Sequence, residues 1–325
     1  MSQPREVEAL TAALLADLTA VHEQILTALD ALAADWYDLN VTARIGRLTE
    51  LDRQISVLID YADAIAAGHV VGAVQAAYEI GAWSTALSAL SVATFGGIDV
   101  DAVTALAQDT YADLLTATKG MRDDAKHLIR ELARDQVRTK LLTGQTAIQA
   151  GRDLARSLRD RGVTAVIYSD GRQVSLPTYA EMLLRTKTAQ AYQEGGLNQG
   201  ERLGIEWWEI LDGPGCGWTA HDDPQIADGM IVPTETARAY PIAHPNCRRS
   251  STPRPDIRSA RDAAGATRTS PTDQAQVWAQ AVKAQATAGR ATALSTTPTR
   301  TAAVATIPNT AAGRRFAQTL KRHTA

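Results

Sequence analysis

Leu14, Leu18, Val21, Ile25, Leu29, Leu32 and Trp36 recur at spacings of three and four. That period lays them along one stripe of a helix running from about residue 5 to 39. The same spacing resembles a heptad seam, so the helix either packs on its own domain or pairs with another subunit. Asn40 breaks the pattern. A second helix begins near Thr42, with Ile45, Leu48, Leu51, Ile55, Leu58 and Ile59 on its apolar face. It runs on towards Ile80, with Gly68 and Gly72 as bends or close helix contacts. Gly96 and Gly97 end the next helical stretch, and Asp99 or Asp101 caps the one carrying Val103, Leu106, Tyr111, Leu114 and Leu115. A further helix is predicted from about Met121 to Leu142, stopped by Gly144, and another over Thr146 to Arg161.

After Gly162 the period changes. VTAVIYSDGRQVSL holds two short β-branched runs around Asp170-Gly171, a pair that accepts the positive φ angles of a tight hairpin. Pro177 suits the first turn of a helix. That helix, TYAEMLLRTKTAQAYQEG, presents Tyr179, Met182, Leu183, Thr186 and Ala189 on one side, and Gly195-Gly196 ends or bends it. LGIEWWEILDG reads as a strand with Ile205, Trp207 and Glu209 on one face and Glu206, Trp208 and Ile210 on the other. The predicted fold is mainly α with a small α+β domain. It comprises an N-terminal helical bundle over 1–144, an α+β module over 145–257 and a low-complexity, disordered basic tail over 258–325.

Charge changes this picture only through its distribution. The net charge is −3, but residues 258–325 hold ten Lys/Arg against two Asp, about +8, which leaves about −11 on the rest. Such asymmetry suggests a polyanion or an acidic protein surface as neighbour, with Arg314, Arg315, Lys321 and Arg322 as candidate nucleic-acid contacts. The N-terminus has no apolar signal core, and no run of about 18 uncharged apolar residues occurs, so neither secretion nor a membrane span is expected.

The stretch 207–247 holds both cysteines of the chain. Cys216 and His221 are separated by four residues, His244 and Cys247 by two, and the pairs by twenty-two. Two short-spaced pairs of thiolate and imidazole donors can supply a tetrahedral zinc site. The same residues also read as buried cysteines with turn-capping histidines, or as a Cys216–Cys247 disulfide, which a reducing cytoplasm disfavours. A catalytic reading would need Cys216, His244 and Asp222 or Asp223 as nucleophile, base and orienting group, and no local motif supports it. Arg185 bonds a partner within the domain or lies exposed; Arg248-Arg249 forms a basic patch or a solvated turn.

The order LLRTKTAQAYQEG, a tryptophan-bearing strand, DGPGCGWTAHDD and PIAHPNCRR resembles the phage Mu F-like (MuF) head morphogenesis family over about residues 145 to 255. Carried over by position, the family's motifs fall on Arg185, Thr186, Trp207, Cys216, His244, Pro245, Asn246, Cys247 and Arg248. Many relatives carry two further cysteines where this chain has Thr219 and Arg249, which leaves His221 and His244 as replacement donors for a structural zinc. The resemblance implies a non-enzymatic minor capsid protein of a phage or prophage virion. It would assemble in the host cytoplasm with portal, capsid or scaffold proteins, and act in head assembly and in DNA packaging or ejection. The rival expectations are a capsid maturation protease, a MuF-linked effector enzyme, and a DNA-binding accessory protein acting through the tail.

Overall fold

The computed structural model describes residues 5–36, 39–89, 97–138, 155–161, 163–212, 227–247 and 249–267. Helix α1 (Arg5–Asp35) buries its predicted stripe from Leu14 to Trp36 completely, each residue at most 6% exposed. The stripe belongs to the core of its own chain, where it packs on α2 (Val41–Ser88) and on the later helix α4. Asn40 starts α2 as an N-cap, its Oδ1 accepting the Ala43 N–H at 2.9 Å. The α2 helix then runs for 48 residues through Gly68 and Gly72 without a break. By length and composition alone, α1 over Glu8–Leu32 and α2 could each cross a membrane. In this fold their apolar stripes meet within one interhelical core.

Helix α3 (Val100–Arg138) corrects the expectation of two separate helices here. Asp99 caps it, accepting the Ala102 N–H at 3.0 Å, and Gly120 lies within it without ending it. One glycine lowers helix stability by about 1 kcal/mol, which tertiary packing readily offsets. Helical residues 155–160 follow; the stop expected at Gly144 lies outside the described residues. Strands β1 (Ala165–Ile167) and β2 (Gln173–Ser175) form the predicted hairpin, with Gly171 at φ +81° and the Arg172 N–H bonded to Asp170 Oδ1 at 3.0 Å.

Helix α4 (Leu176–Arg202) starts where predicted, with Ser175 as cap and Pro177 in the first turn. It does not end or bend at Gly195-Gly196. Both glycines lie inside the helix, where it crosses α2. A Cβ on Gly195 would collide with the Tyr78 carbonyl, and one on Gly81 with the Tyr192 carbonyl. The crossing therefore requires bare backbone on both helices. The predicted face of α4 is only part of what is buried, because α4 is central: Ala180, Leu184, Thr188 and Ala191 are also covered, by α1, α2 and α3.

Past α4 the chain builds a three-stranded antiparallel sheet. Strand β3 (Trp207–Leu211) lies between β4 (Ile231–Pro233) and β5 (Ser250–Pro253), with the short helices α5 (Thr234–Ala239) and α6 (Ala260–Ala266) alongside. Trp208 and Ile210 share one face, as the alternation predicted, and the fold turns that face inwards. Trp208 packs against Gly200 of α4 and donates its indole N–H to Thr234 Oγ1 at 3.0 Å. One apolar cluster spans Leu14 to Ala191; a second joins Leu197 to Trp208, Ile210, Met230, Val232 and Ala237. The helix assigned by sequence to the α+β module thus contributes to both cores. The boundary expected at 144–145 lies outside the described residues, as does the tail beyond Thr267.

Two predictions follow from this packing. Gly195→Ala should lower stability by about 1–3 kcal/mol through overpacking at the crossing. Gly68→Ala, whose Cβ would meet nothing within 4 Å, should raise it by about 0.5–1 kcal/mol in the same denaturant titration. Second, burial pushes the Asp63 carboxyl up to about 6, opposed by the Thr118 hydroxyl bonded to it at 2.6 Å and by Arg122. A carboxyl raised in the folded state favours folding at low pH and loses that contribution as pH rises. Stability should therefore fall by up to about 3 kcal/mol between pH about 4 and 6 from this group, and Asp63→Asn should flatten that segment of the pH–stability curve.

Candidate functional site

The sequence H-P-N-C closes as a tight turn against α4. The Cys247 N–H bonds the His244 carbonyl at 3.0 Å, with Pro245 and Asn246 at the corner. Asn246 adopts φ +63°, a left-handed conformation that asparagine tolerates better than most residues. Proline followed by a positive-φ residue is the pattern of a type II turn. His244 Nδ1 lies 2.8 Å from the Pro245 carbonyl oxygen, and Cys247 is buried, 4% exposed.

The helix supplies the surface on which this turn sits. The Asn246 N–H donates to Thr186 Oγ1 at 3.1 Å, while the Thr186 hydroxyl donates to the Met182 carbonyl one turn back at 2.8 Å. Arg185 reaches Asn246 Oδ1 at 3.3 Å and Glu181 on its own helix. The side chain stays about half exposed, so both sequence readings of Arg185 hold in part. Six of the predicted positions, Arg185, Thr186, His244, Pro245, Asn246 and Cys247, thus come together. Trp207 does not join them; it packs across the sheet with Ile231, Ile257 and Ala263. Cys216, His221 and Arg248 lie outside the described residues, as do Arg314, Arg315, Lys321 and Arg322. Among the described residues no group of three or more His, Cys, Asp or Glu is arranged to hold a metal ion. His244 and Cys247 are the two described members of the four-residue zinc reading.

The residue that the sequence reading misjudged is Arg249. It is neither a basic patch nor a solvated turn: it is 2% exposed, and its guanidinium grips Asp212 with two parallel bonds of 2.8 and 3.0 Å. Neither side chain of the pair retains any exposure. A third guanidinium N–H bonds the Tyr240 carbonyl at 3.2 Å, and the Arg249 carbonyl accepts the Gln193 amide from α4 at 2.7 Å. The cause is register. Leu211 opposes Ser250 in the β3–β5 ladder, so the next residues outward, Asp212 and Arg249, face each other across the strands. Burial pushes the Asp212 carboxyl up, and the adjoining guanidinium opposes that shift. The Asp212 N–H also bonds Asp228 Oδ1 at 3.1 Å, so the chain leaves and re-enters the sheet at one place. The charge in this pair came from the sequence; β5, which creates the pairing, carries no strong strand signal in SSTP.

A second network ties α5 to α4 and α2. Arg238 bonds Glu194, Asn198 Oδ1 at 3.0 Å and Glu201 at 2.8 Å, and the Asn198 amide donates to Tyr78 Oη at 2.7 Å. Burial pushes the Glu194 carboxyl up and Arg238 opposes it. Both networks place a guanidinium against carboxylates and amide oxygens, the Tyr240 carbonyl for Arg249 and the Asn198 side chain for Arg238. That arrangement fixes one chain segment upon another.

A family model described as phage minor capsid protein 2 matches residues 36–212, more than half of the chain. The match starts at the threshold of α2 and ends at Asp212, so it covers α2, α3, the hairpin, α4 and β3; the His244–Cys247 turn lies beyond it. No curated protein and no solved structure matches the chain.

Removing one partner of a buried ion pair leaves an uncompensated charge, at a loss of about 3–5 kcal/mol. Arg249→Met alone should destabilise the protein by that amount in urea denaturation. Adding Asp212→Leu should recover much of the loss, because the orphaned carboxylate is then gone.

Proposed function

The chain belongs to the phage minor capsid protein 2 family, and from that membership we propose a minor structural part of the phage head, incorporated into the virion during assembly in the host cytoplasm. The family carries a capsid-related role; the position beside the portal, with capsid or scaffold proteins as neighbours, is our reading. The observation that carries it is the long helical body. Helices α2 and α3, of 48 and 39 residues, are fastened to α4 by one continuous core. Such a body suits docking on another protein's helices better than it suits a catalytic cleft. The sheet unit, closed by the buried Asp212–Arg249 pair, holds the chain's later part to that body. Of the domain division proposed from sequence, we retain the helical body, the α+β unit and the basic tail as working parts, with α4 shared between the first two.

The tail would act in packaging or ejection by touching packaged DNA through Arg314, Arg315, Lys321 and Arg322. Each phosphate neutralised by such a contact releases counterions and makes affinity salt-dependent. A structural zinc held by Cys216, His221, His244 and Cys247 remains a separate proposal, decided by elemental analysis of the purified protein.

Peptide mass spectrometry of purified particles should find this chain at low copy number, and its consistent absence from them would overturn the head assignment. In DNA-binding titrations over a salt series, deletion of residues 313–325 should reduce the slope of log K against log salt by about 3–4, as expected for four lost phosphate contacts. An unchanged slope would remove the DNA role from the tail while leaving the head role standing.

A further inference from the structure

A cleft of about 370 Å³ opens between α3, α4 and α5, within the range of about 300–1,000 Å³ usual for binding clefts. Ala105, Leu106, Leu197 and Pro241 give it an apolar lining. Gln193 also lines it. This side chain is 4% exposed, its amide nitrogen is committed to the Arg249 carbonyl, and its Oε1 is a buried acceptor with no hydrogen-bond partner.

The rim of the cleft carries excess negative charge. One turn beyond Leu106 and Gln190, Lys187 faces two carboxylates, Asp109 and Asp113. At the other end Arg238 likewise faces two, Glu194 and Glu201. Asp99 and Asp101 add two more beside Ala102, with Arg202 nearby on the Gly97 carbonyl. Glu194 and Arg238 are the charged residues of the lining itself; counted with the flanking turns of α3 and α4, six carboxylates stand against three cations. Asp101 and Asp109 are exposed.

We propose that this cleft is the docking place of the chain's own basic segment 314–322. That segment, RRFAQTLKR, sets Phe316 and Leu320 four residues apart, the spacing that puts two side chains on one face of a helical turn. Arg314, Arg315, Lys321 and Arg322 flank them, and no acidic residue occurs from 274 to 325. The apolar pair matches the floor, and the four cations match the unbalanced charge around it. The 46 residues between Thr267 and Arg314 can span up to about 150 Å when extended, so the cleft is within reach. Tethering favours this occupant over a basic segment of another protein, because a linked segment acts at a millimolar-range effective concentration. The same cations are those assigned above to DNA. Docking would keep them occupied until a polyanion competes, but the docking itself stands without the DNA role.

Zero-length carbodiimide coupling of the full-length protein at low salt, read by peptide mass spectrometry, tests this directly. Lys321 should couple to Asp101, Asp109, Asp113 or Glu201 about tenfold more than to the control carboxylates Glu8 and Glu23 on α1. Ala105→Trp places a large side chain at an exposed helical position in the cleft and should abolish that preference without unfolding the protein; Phe316→Ser should do the same from the tail side. Even coupling over all exposed carboxylates, or a preference that survives Ala105→Trp, overturns the proposal. Mixing isotope-labelled with unlabelled chains gives the remaining arm. Links within one chain support the arrangement, and links found only between chains assign the cleft to a second copy and overturn it.

Discussion

Where α2 and α4 cross, two backbones meet with no side chain between them. Gly81 and Gly195 each face a carbonyl of the opposite helix, so neither position can carry even a methyl group without displacing main chain. Helix pairs are usually separated by about 8–10 Å because side chains fill the interface; removing them lets the axes close in. The near approach brings Tyr192 to Ser84, with 3.0 Å between the hydroxyls, and Asn198 to Tyr78. It also fixes where the last turns of α4 emerge from the helical body. There Gly200 forms the seat of Trp208 and so sets the position of the sheet.

The sheet unit is held in place by polar closure as much as by apolar area. Its cluster is small, and β4 and β5 are only three and four residues long. Short strands of this kind are marginal by themselves. The Asp212–Arg249 pair joins the outer ends of β3 and β5. Gln193 then ties that corner to α4, Thr186 receives the Asn246 turn, and Arg238 binds α5 to the same helix. Three tethers along one helix make the sheet unit an extension of the helical body. Such rigidity suits the capsid-related role of the family to which the chain belongs.

Much of the helical architecture was legible because its signals are local. The stripe from Leu14 to Trp36, the break at Asn40, the cap at Asp99, the Asp170-Gly171 turn and Pro177 opening α4 each act within a few residues, and each appears where its chemistry dictates. Glycine was the recurrent source of error. Gly195-Gly196 reads as an end or a bend, and two helices were expected on either side of Gly120, yet α4 and α3 pass through these glycines. A glycine that ends a helix and one that lets another helix approach look the same in sequence. Arg249 was misread for a related reason: beside Arg248 it resembles a basic surface pair, and its acid partner lies 37 residues away.

The sequence by itself determined which segments are helical, which face of α1 and α2 is apolar, and which turn chemistry closes the hairpin. Those choices depend on residues within one or two turns of each other. Tertiary structure alone decided that Gly81 faces the Tyr192 carbonyl and Gly195 the Tyr78 carbonyl, that Thr186 receives Asn246 and that Arg249 is buried against Asp212. Each of these depends on the relative placement of segments far apart in the chain, where the free energy of a contact depends on what surrounds it rather than on the residues that precede it.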